Sequence, residues 1–472
     1  MSRLLGIDIG TTSLKACIFD ENGNELFSVS KAYDLITEGE KVEFPAHRYF
    51  ELFKEAYDEL NAKSRIDAFA IDTQGETLVF LDQNGVPLMN AIVWLDNRAE
   101  KEARAIEKRF GLREIYEKTG QTEVPAGYPA PKILWLKNNE PSLFARLDKV
   151  VLLEDYLLYR ITGRFVCERS LYSSSLYLDI RTGEYWNEML AFIGIDKGYL
   201  PTLCESGERV GQYQGAIVCT GALDQISCFL GAGCAQKGGL SETTGTALAV
   251  CAYAEELPPY HDGVKVSAYY IAKNEYCLLA WAPTAGMVME WYKKNFYFDA
   301  DFKRIDEEAK TIPLGAEGLV VAPNMRGSVM PVNDCTLRGG VYGVDLKHTR
   351  AHFARAIMES IACLLKQYLT CLDMPIETIV SLGGGARSAL WNQIKADITR
   401  KRIVTLVNQE TGCLGTAVYA GCGAGVYQNA NETTARLAKQ KSTFLPKENE
   451  TDAKTAYQKY LQFENLLAKR EK

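Results

Sequence analysis

The chain contains no run near the roughly 20 consecutive apolar residues that a membrane-spanning helix needs, and no basic start leading into an apolar stretch. The expectation is a cytoplasmic protein. Positive charge is in short supply: 53 lysines and arginines stand against 60 aspartates and glutamates, a formal net charge of -7. That sign argues against a general attraction to nucleic acid or to an anionic membrane surface. None of the 13 cysteines falls into the Cys-x-x-Cys spacing of zinc or thiol-redox sites, so free, reduced thiols are expected. Two familiar phosphate signatures are also missing from the glycine-rich stretch near the N-terminus, which fits neither the Walker A spacing nor Gly-x-Gly-x-x-Gly.

What is present is globular material in quantity. With 472 residues, 47% of them hydrophobic and 24% charged, the chain is long enough for two or three units with substantial cores. Strand-like stretches at Leu4 to Asp8 and Lys15 to Phe19 are joined by a Gly-Thr-Thr turn and followed by "DENGNE". The Asn-Gly there is a strong hairpin signal, so the opening reads as a run of antiparallel strands. "RIDAFAIDT" and "PLMNAIVWLD" read as further buried strands, whereas "DNRAEKEARAIEKRF" and "APKILWLKNNEP" space their apolar residues near the 3.6 period of a helix. "KVVLLEDYLLYRITGRF" reads as one more helix, ended by Gly163. Strands and helices alternate, which gives an α/β class. From Cys167 to Arg209 no regular pattern emerges. At Val218 the opening design returns: "VCTGALDQ" is a strand entering a small-residue turn with an acid, and "GGLSETTGTALAVCA" repeats strand, Gly-Thr turn, strand. The chain therefore reads as two related halves. The tail from about Ala430 is charged and helical in composition, as expected of a solvated closing helix.

"GIDIGTTSLK" (residues 6 to 15) has two local readings. A glycine at a strand turn lets backbone N–H groups converge on a phosphate, with threonine hydroxyls as added donors and Asp8 directing a metal; an ordinary tight hairpin needs nothing more than the same turn. Repetition favours the first reading. A second Gly-Thr hairpin at Gly245-Thr246 and a strand-to-helix junction at Gly383 to Gly385, with its helix starting near Ser388, make three places where backbone can approach a ligand closely. Three such places suit a whole nucleotide.

In their order and spacing these segments resemble the FGGY carbohydrate kinases, over nearly the whole chain. "GIDIGTTS" is similar to the family's first phosphate motif, "AIVWLDNRA" to its Trp-x-Asp-x-Arg substrate segment, and "GALDQ" to the turn holding its catalytic aspartate. "ETTGTA" resembles its second phosphate motif, "SLGGGARSALWNQIKADI" its adenosine motif, and "QETGCLGTAVYAG" the closing helix after that site. The resemblance implies a two-domain actin-like ATPase (ribonuclease H-like) fold with a cleft between the domains, 1–229 binding the sugar and first phosphates and 230–472 binding ATP. It also implies ATP and Mg²⁺ as cofactors, a small sugar or polyol as the only other partner, and allows a homodimer. By the same resemblance Asp224 is the general base that takes the acceptor hydroxyl's proton; its bland alternative is a helix cap. Asp8 holds hydrated Mg²⁺, or else only caps its turn. Gly10, Thr11, Thr12, Gly245 and Thr246 donate to phosphate oxygens, and Gly384 and Gly385 pass close to adenine or ribose, where the alternative is strand-to-helix packing.

For the acceptor, "DTQGETL" and "WLDNRA" supply Gln74, Glu76, Trp94, Asp96 and Arg98, together with Asp224. Acids and amides bind polyol hydroxyls while an indole covers the carbon face; Trp94 is equally well a core residue, and Asp96 with Arg98 equally well an ion pair that orders its loop. Glycerol kinases carry an arginine where this chain has Gly75, and the Met-His pair usual in xylulokinases is absent. The adenosine segment and the "APKILWL" helix are more like those of xylulokinases. The room left at Gly75 and the xylulokinase-like segments point to a pentulose such as xylulose; the missing Met-His pair and the glycerol-like "QGET" stretch keep a polyol of the glycerol or erythritol type as the alternative. An actin- or Hsp70-like ATPase without a sugar substrate is the alternative of another class.

Overall fold

A computed structural model describes residues 2–261, 263, 266–330 and 333–470. Two large sheets carry the architecture. The first runs Arg209–Tyr213, Ala216–Cys219, Ala68–Thr73, Leu4–Ile9, Ser13–Phe19, Glu25–Ala32. The second runs Gln440–Phe444, Arg402–Leu406, Thr378–Leu382, Leu240–Thr244, Leu248–Ala254, Glu275–Ala282, Ser267–Ala272. Their centres are built alike. Leu4–Ile9 pairs antiparallel with the next strand and parallel with Ala68–Thr73, and Leu240–Thr244 pairs antiparallel with Leu248–Ala254 and parallel with Thr378–Leu382. The repeat legible in the sequence is thus a repeat of topology, the two-domain actin-like arrangement expected above.

Leu4–Ile9 is buried at every position except Asp8, as a central strand covered on both faces should be. Helices supply the cover. Ala46–Lys63 buries Tyr49, Leu52, Phe53, Ala56, Tyr57 and Leu60 at helical spacing. The Thr411–Gly423 helix comes from the second half of the chain yet packs on Leu4–Ile9 and Ala68–Thr73, and it also crosses Asp224–Gly231. That crossing is backbone on backbone: a Cβ at Gly231 would collide with the Thr411 carbonyl, and one at Gly415 with the Ser227 carbonyl.

Three expectations fail locally. "PLMNAIVWLD" forms only the two-residue strand Ala91–Ile92 before the chain turns irregularly. "KVVLLEDYLLYRITGRF" is a strand, Lys149–Leu152, paired antiparallel with Leu78–Leu81, followed by the helix Leu153–Thr162. Gly163 ends that helix in the left-handed region (φ 75°) as expected. The tail is also more than a solvated helix. Gln440–Phe444 adds an edge strand to the second sheet, and Glu450–Arg470 buries Ala453, Tyr460 and Phe463. All 13 cysteines are free. Among the described residues no helix is long and apolar enough to cross a membrane.

Candidate active site

Each Gly-Thr turn is closed by its glycine amide, Gly10 N donating to Ser13 O and Gly245 N to Ala247 O, each at 3.0 Å, with the second turn one residue tighter than the first. Thr12 and Thr246 stand exposed at the two tips. Tyr33 braces the first turn, its hydroxyl donating to the Gly10 carbonyl and its amide to Thr12 O. A Cβ added at Gly10 would meet nothing nearer than Ser13 O at 3.7 Å, one at Gly384 only Thr244 O at 4.0 Å, and one at Gly245 nothing within 4 Å. Protein packing therefore does not require glycine at these three positions, and their open faces fit close approach of a ligand. Gly385 differs: a Cβ there would lie 2.7 Å from Thr244 Cβ, so its glycine serves the strand-to-helix packing. Ser388 caps the following helix by accepting the amide of Trp391.

Beneath the first hairpin lies a group of carboxylates. Asp8 and Asp72 are register partners on parallel strands. Asp72 Oδ2 accepts from the Thr416 hydroxyl, while its Oδ1, buried, has no partner. Asp224 begins its helix rather than capping it; Leu223 occupies the cap position, and Asp224 Oδ1 accepts the amide of Gln225 at 2.6 Å. Burial pushes Asp8 up, and burial and the charge on Asp8 push Asp72 well up. Asp224 is driven up to about 8 by burial first, then by Asp8. Among the described residues no three His, Cys, Asp or Glu side chains are arranged to hold a metal ion. Asp72 Oδ1, buried and unpartnered, is an oxygen of the kind a hydrated magnesium ion would take.

The loop carrying Asp224 is fixed from behind. Glu154 Oε1 accepts the Gly221 amide at 2.8 Å, Ser170 Oγ accepts the Leu223 amide at 2.9 Å, and Glu168 accepts the Ser170 amide at 2.6 Å. Glu154 and Glu168 are wholly buried. Burial raises Glu168 to about 7 and Glu154 well above the usual carboxylate range.

The expected acceptor residues divide into two sets. Trp94 Nε1 donates to Thr11 Oγ1 at 3.0 Å, which joins the acceptor segment to the first phosphate hairpin. Glu76 sits at the turn after Ala68–Thr73 in a left-handed conformation (φ 57°), partly exposed, with burial raising its carboxyl. Gln74 bonds through Nε2 to Tyr49 OH at 3.2 Å and through its main-chain N–H to Ile9 O at 2.9 Å, and its buried Oε1 has no partner among the described residues. Asp96 is wholly buried, and both its oxygens are occupied: by Val42 N at 2.7 Å and by the Arg98 amide and guanidinium at 2.7 to 3.0 Å. Arg98 reaches on to Glu43 at 2.6 Å and lies over Trp135. Asp96 and Arg98 thus form the loop-ordering ion pair.

Asp72, Lys132, Glu154, Glu168 and Ser170 escaped the sequence reading. Asp72 had a signal, an acid inside the apolar run "AFAIDT" at a spacing like that of Asp8 in "LLGIDI". Lys132 had one too, a lone cation in the apolar stretch "APKILWL".

Comparison with known proteins matches residues 3–239 to the N-terminal domain and residues 244–424 to the C-terminal domain of the FGGY family of carbohydrate kinases. A xylulose kinase of Bacillus subtilis strain 168 is 30% identical over 483 residues, 98% of this chain and 96% of the relative. The crystal structure of a ligand-bound xylulose kinase from Lactobacillus acidophilus superposes with a TM-score of 0.92 at 25% identity, covering 99% of both chains. A gluconate kinase from the same organism superposes with a TM-score of 0.91 at 26% identity, covering 99% of this chain and 98% of the other.

Proposed function

The chain belongs to the FGGY family of carbohydrate kinases and is a sugar kinase that uses ATP; from that premise we propose that its acceptor is a pentulose, D-xylulose or a near relative, phosphorylated on its terminal hydroxyl. One contact carries the reading: the 3.0 Å hydrogen bond from Trp94 to Thr11 sets the acceptor segment directly against the first phosphate hairpin. A pure ATPase has no need of that adjacency.

In this reading Asp224, deprotonated, accepts the proton of the acceptor hydroxyl and aligns its oxygen. Gly10, Thr11 and Thr12 from one half and Gly245 and Thr246 from the other donate to phosphate oxygens, and Gly384 borders the adenosine. Asp8 directs a hydrated Mg²⁺. When bound, Mg-ATP supplies the transferable phosphoryl group and a divalent charge that screens the phosphate oxygens. Glu76 accepts from sugar hydroxyls, and Trp94 covers the carbon face. Gly75 carries no side chain, and a Cβ there would already lie 2.9 Å from Leu223 Cδ1, so the larger arginine of glycerol kinases would crowd this wall.

Residues 1–229 then form the acceptor-binding domain and 230–472 the ATP-binding domain, in a cytoplasmic enzyme. Trp291, Phe296 and Val341, exposed around one apolar groove, support a homodimer through that face, which sedimentation velocity tests. The acceptor itself is tested by coupled ADP release with Mg-ATP and D-xylulose, D-ribulose, glycerol, erythritol or gluconate. D-Xylulose is expected to give the highest kcat/KM; glycerol or gluconate outrunning both ketoses overturns the choice of acceptor and leaves the kinase assignment standing.

A further inference from the structure

Lys132, in the helix Pro129–Asn139, is wholly buried and yet makes no ion pair among the described residues. Its ammonium group is spent on backbone, donating to Glu76 O at 2.8 Å, Val93 O at 3.0 Å and Ile92 O at 3.3 Å. A lysine has three N–H bonds to give, and here each goes to a carbonyl. Those carbonyls belong to two separate segments. One is the turn of Glu76, held in the left-handed region at φ 57°, a conformation that persists only where its surroundings impose it. The other is the end of the short Ala91–Ile92 strand, where the chain leaves regular structure for Trp94 and Asp96.

We propose that Lys132 is a positioning residue for the acceptor site, a three-pronged clamp that fixes the Glu76 turn and the Trp94 segment against each other. The proposal rests on the reading that these two segments bind the sugar. The charged groups acting on the clamp are Asp96 and Glu76, which favour its protonated form, and Arg98, which opposes it. Burial, the largest influence, brings the ammonium down to about 7. Among the described residues no carboxylate accepts from Lys132 Nζ, so its N–H bonds remain aimed at the main chain.

The test uses Lys132→Met, which keeps length and apolar bulk without a donor, and Lys132→Gln, which keeps two N–H donors. In the ligand-free proteins, hydrogen exchange is expected to quicken together in residues 75–78 and 92–98, with the 240–254 hairpin unchanged. Exchange that quickens only within the Pro129–Asn139 helix, or evenly over the chain, overturns the clamp. With D-xylulose and Mg-ATP, Lys132→Met is expected to raise the sugar KM about 10- to 100-fold, the loss of hydrogen bonds to a charged donor, with the ATP KM within about twofold. Lys132→Gln is expected to fall between Lys132→Met and the parent. Equal changes in both KM values, or an unchanged sugar KM, also overturn it. Should Lys132→Met not fold, Lys132→Gln is read by the same criteria. A parent inactive on D-xylulose sinks the acceptor choice alone, because the exchange measurement still decides the clamp.

Discussion

The two Gly-Thr hairpins carry buried acids in opposite ways. In the second half, Glu242 is wholly buried, but Lys395 Nζ lies 2.6 Å away and also reaches Thr244 Oγ1 at 3.0 Å, and the Ser381 hydroxyl bonds the same carboxylate. Charge and hydrogen bonds both close. Under the first hairpin, Asp8, Asp72 and Asp224 crowd together with no cation bonded to any of them among the described residues, and burial raises all three carboxyls toward their protonated forms. The nearest ion pair, Lys15 with Glu410 at 2.6 Å, lies at the rim and consumes its own charge. Of these two hairpins, the second balances its buried acid with a cation inside the fold, and the first leaves its acids without one.

Breaking each cluster in turn should separate these two kinds of charge. Asp224→Asn is expected to lower kcat by about 10² to 10⁴ while the Mg-ATP-induced rise in melting temperature survives. Turnover like the parent's would demote Asp224 to a structural role. Lys395→Met should instead cost stability, about 3–5 kcal/mol by denaturant titration, because Glu242 is left buried and unpaired. Asp72→Asn should not. The native pKa of Asp72 is raised, so its contribution to stability is present below the unfolded value near 4 and is lost as pH rises toward the native value; a neutral amide avoids that loss at pH 8. A large destabilisation by Asp72→Asn would place the first cluster among scaffold charges.

The glycines sharpen the same contrast. Gly384→Val is expected to weaken ATP roughly tenfold with little change in stability, since its face is open, whereas Gly385→Val should lower stability first by striking Thr244. Melting curves with and without Mg-ATP distinguish them, and identical behaviour would remove the distinction. The smallest effect is in pH. With nucleotide subsaturating, kcat/KM should rise with pH and level off above about 8 as Asp224 loses its proton, leaving about a tenth of the plateau at pH 7. A profile flat from pH 6 to 9 would show that this proton is not the one that matters.

What the sequence made legible was local. Turn chemistry at Gly10 and Gly245, the glycine run at 383–385 and the cap at Ser388 announce themselves in a few adjacent residues, and their repetition exposed the two halves. What stayed hidden depends on distance along the chain. "KVVLL" is as apolar as a helix face, and only pairing with Leu78–Leu81 makes it a strand. For Asp96 the sequence left a sugar ligand and a loop-ordering ion pair with Arg98 both open, and only the contacts of Val42 and Arg98 show its oxygens occupied. The clamp of Lys132 and the support of Asp224 by Glu154, 67 residues from Gly221, have no local signature beyond a charged residue in an apolar run.

The claim that the raised carboxylates of the first cluster give up a proton when magnesium reaches them is tested most directly by calorimetry of Mg²⁺ binding to the ATP-loaded protein at pH 7 in buffers of differing ionisation enthalpy. Release of about one proton per site is expected, because a divalent charge lowers raised carboxylate pKa values, with release reduced in Asp72→Asn and unchanged in Gly385→Val once corrected for occupancy. A heat of binding independent of the buffer would contradict it.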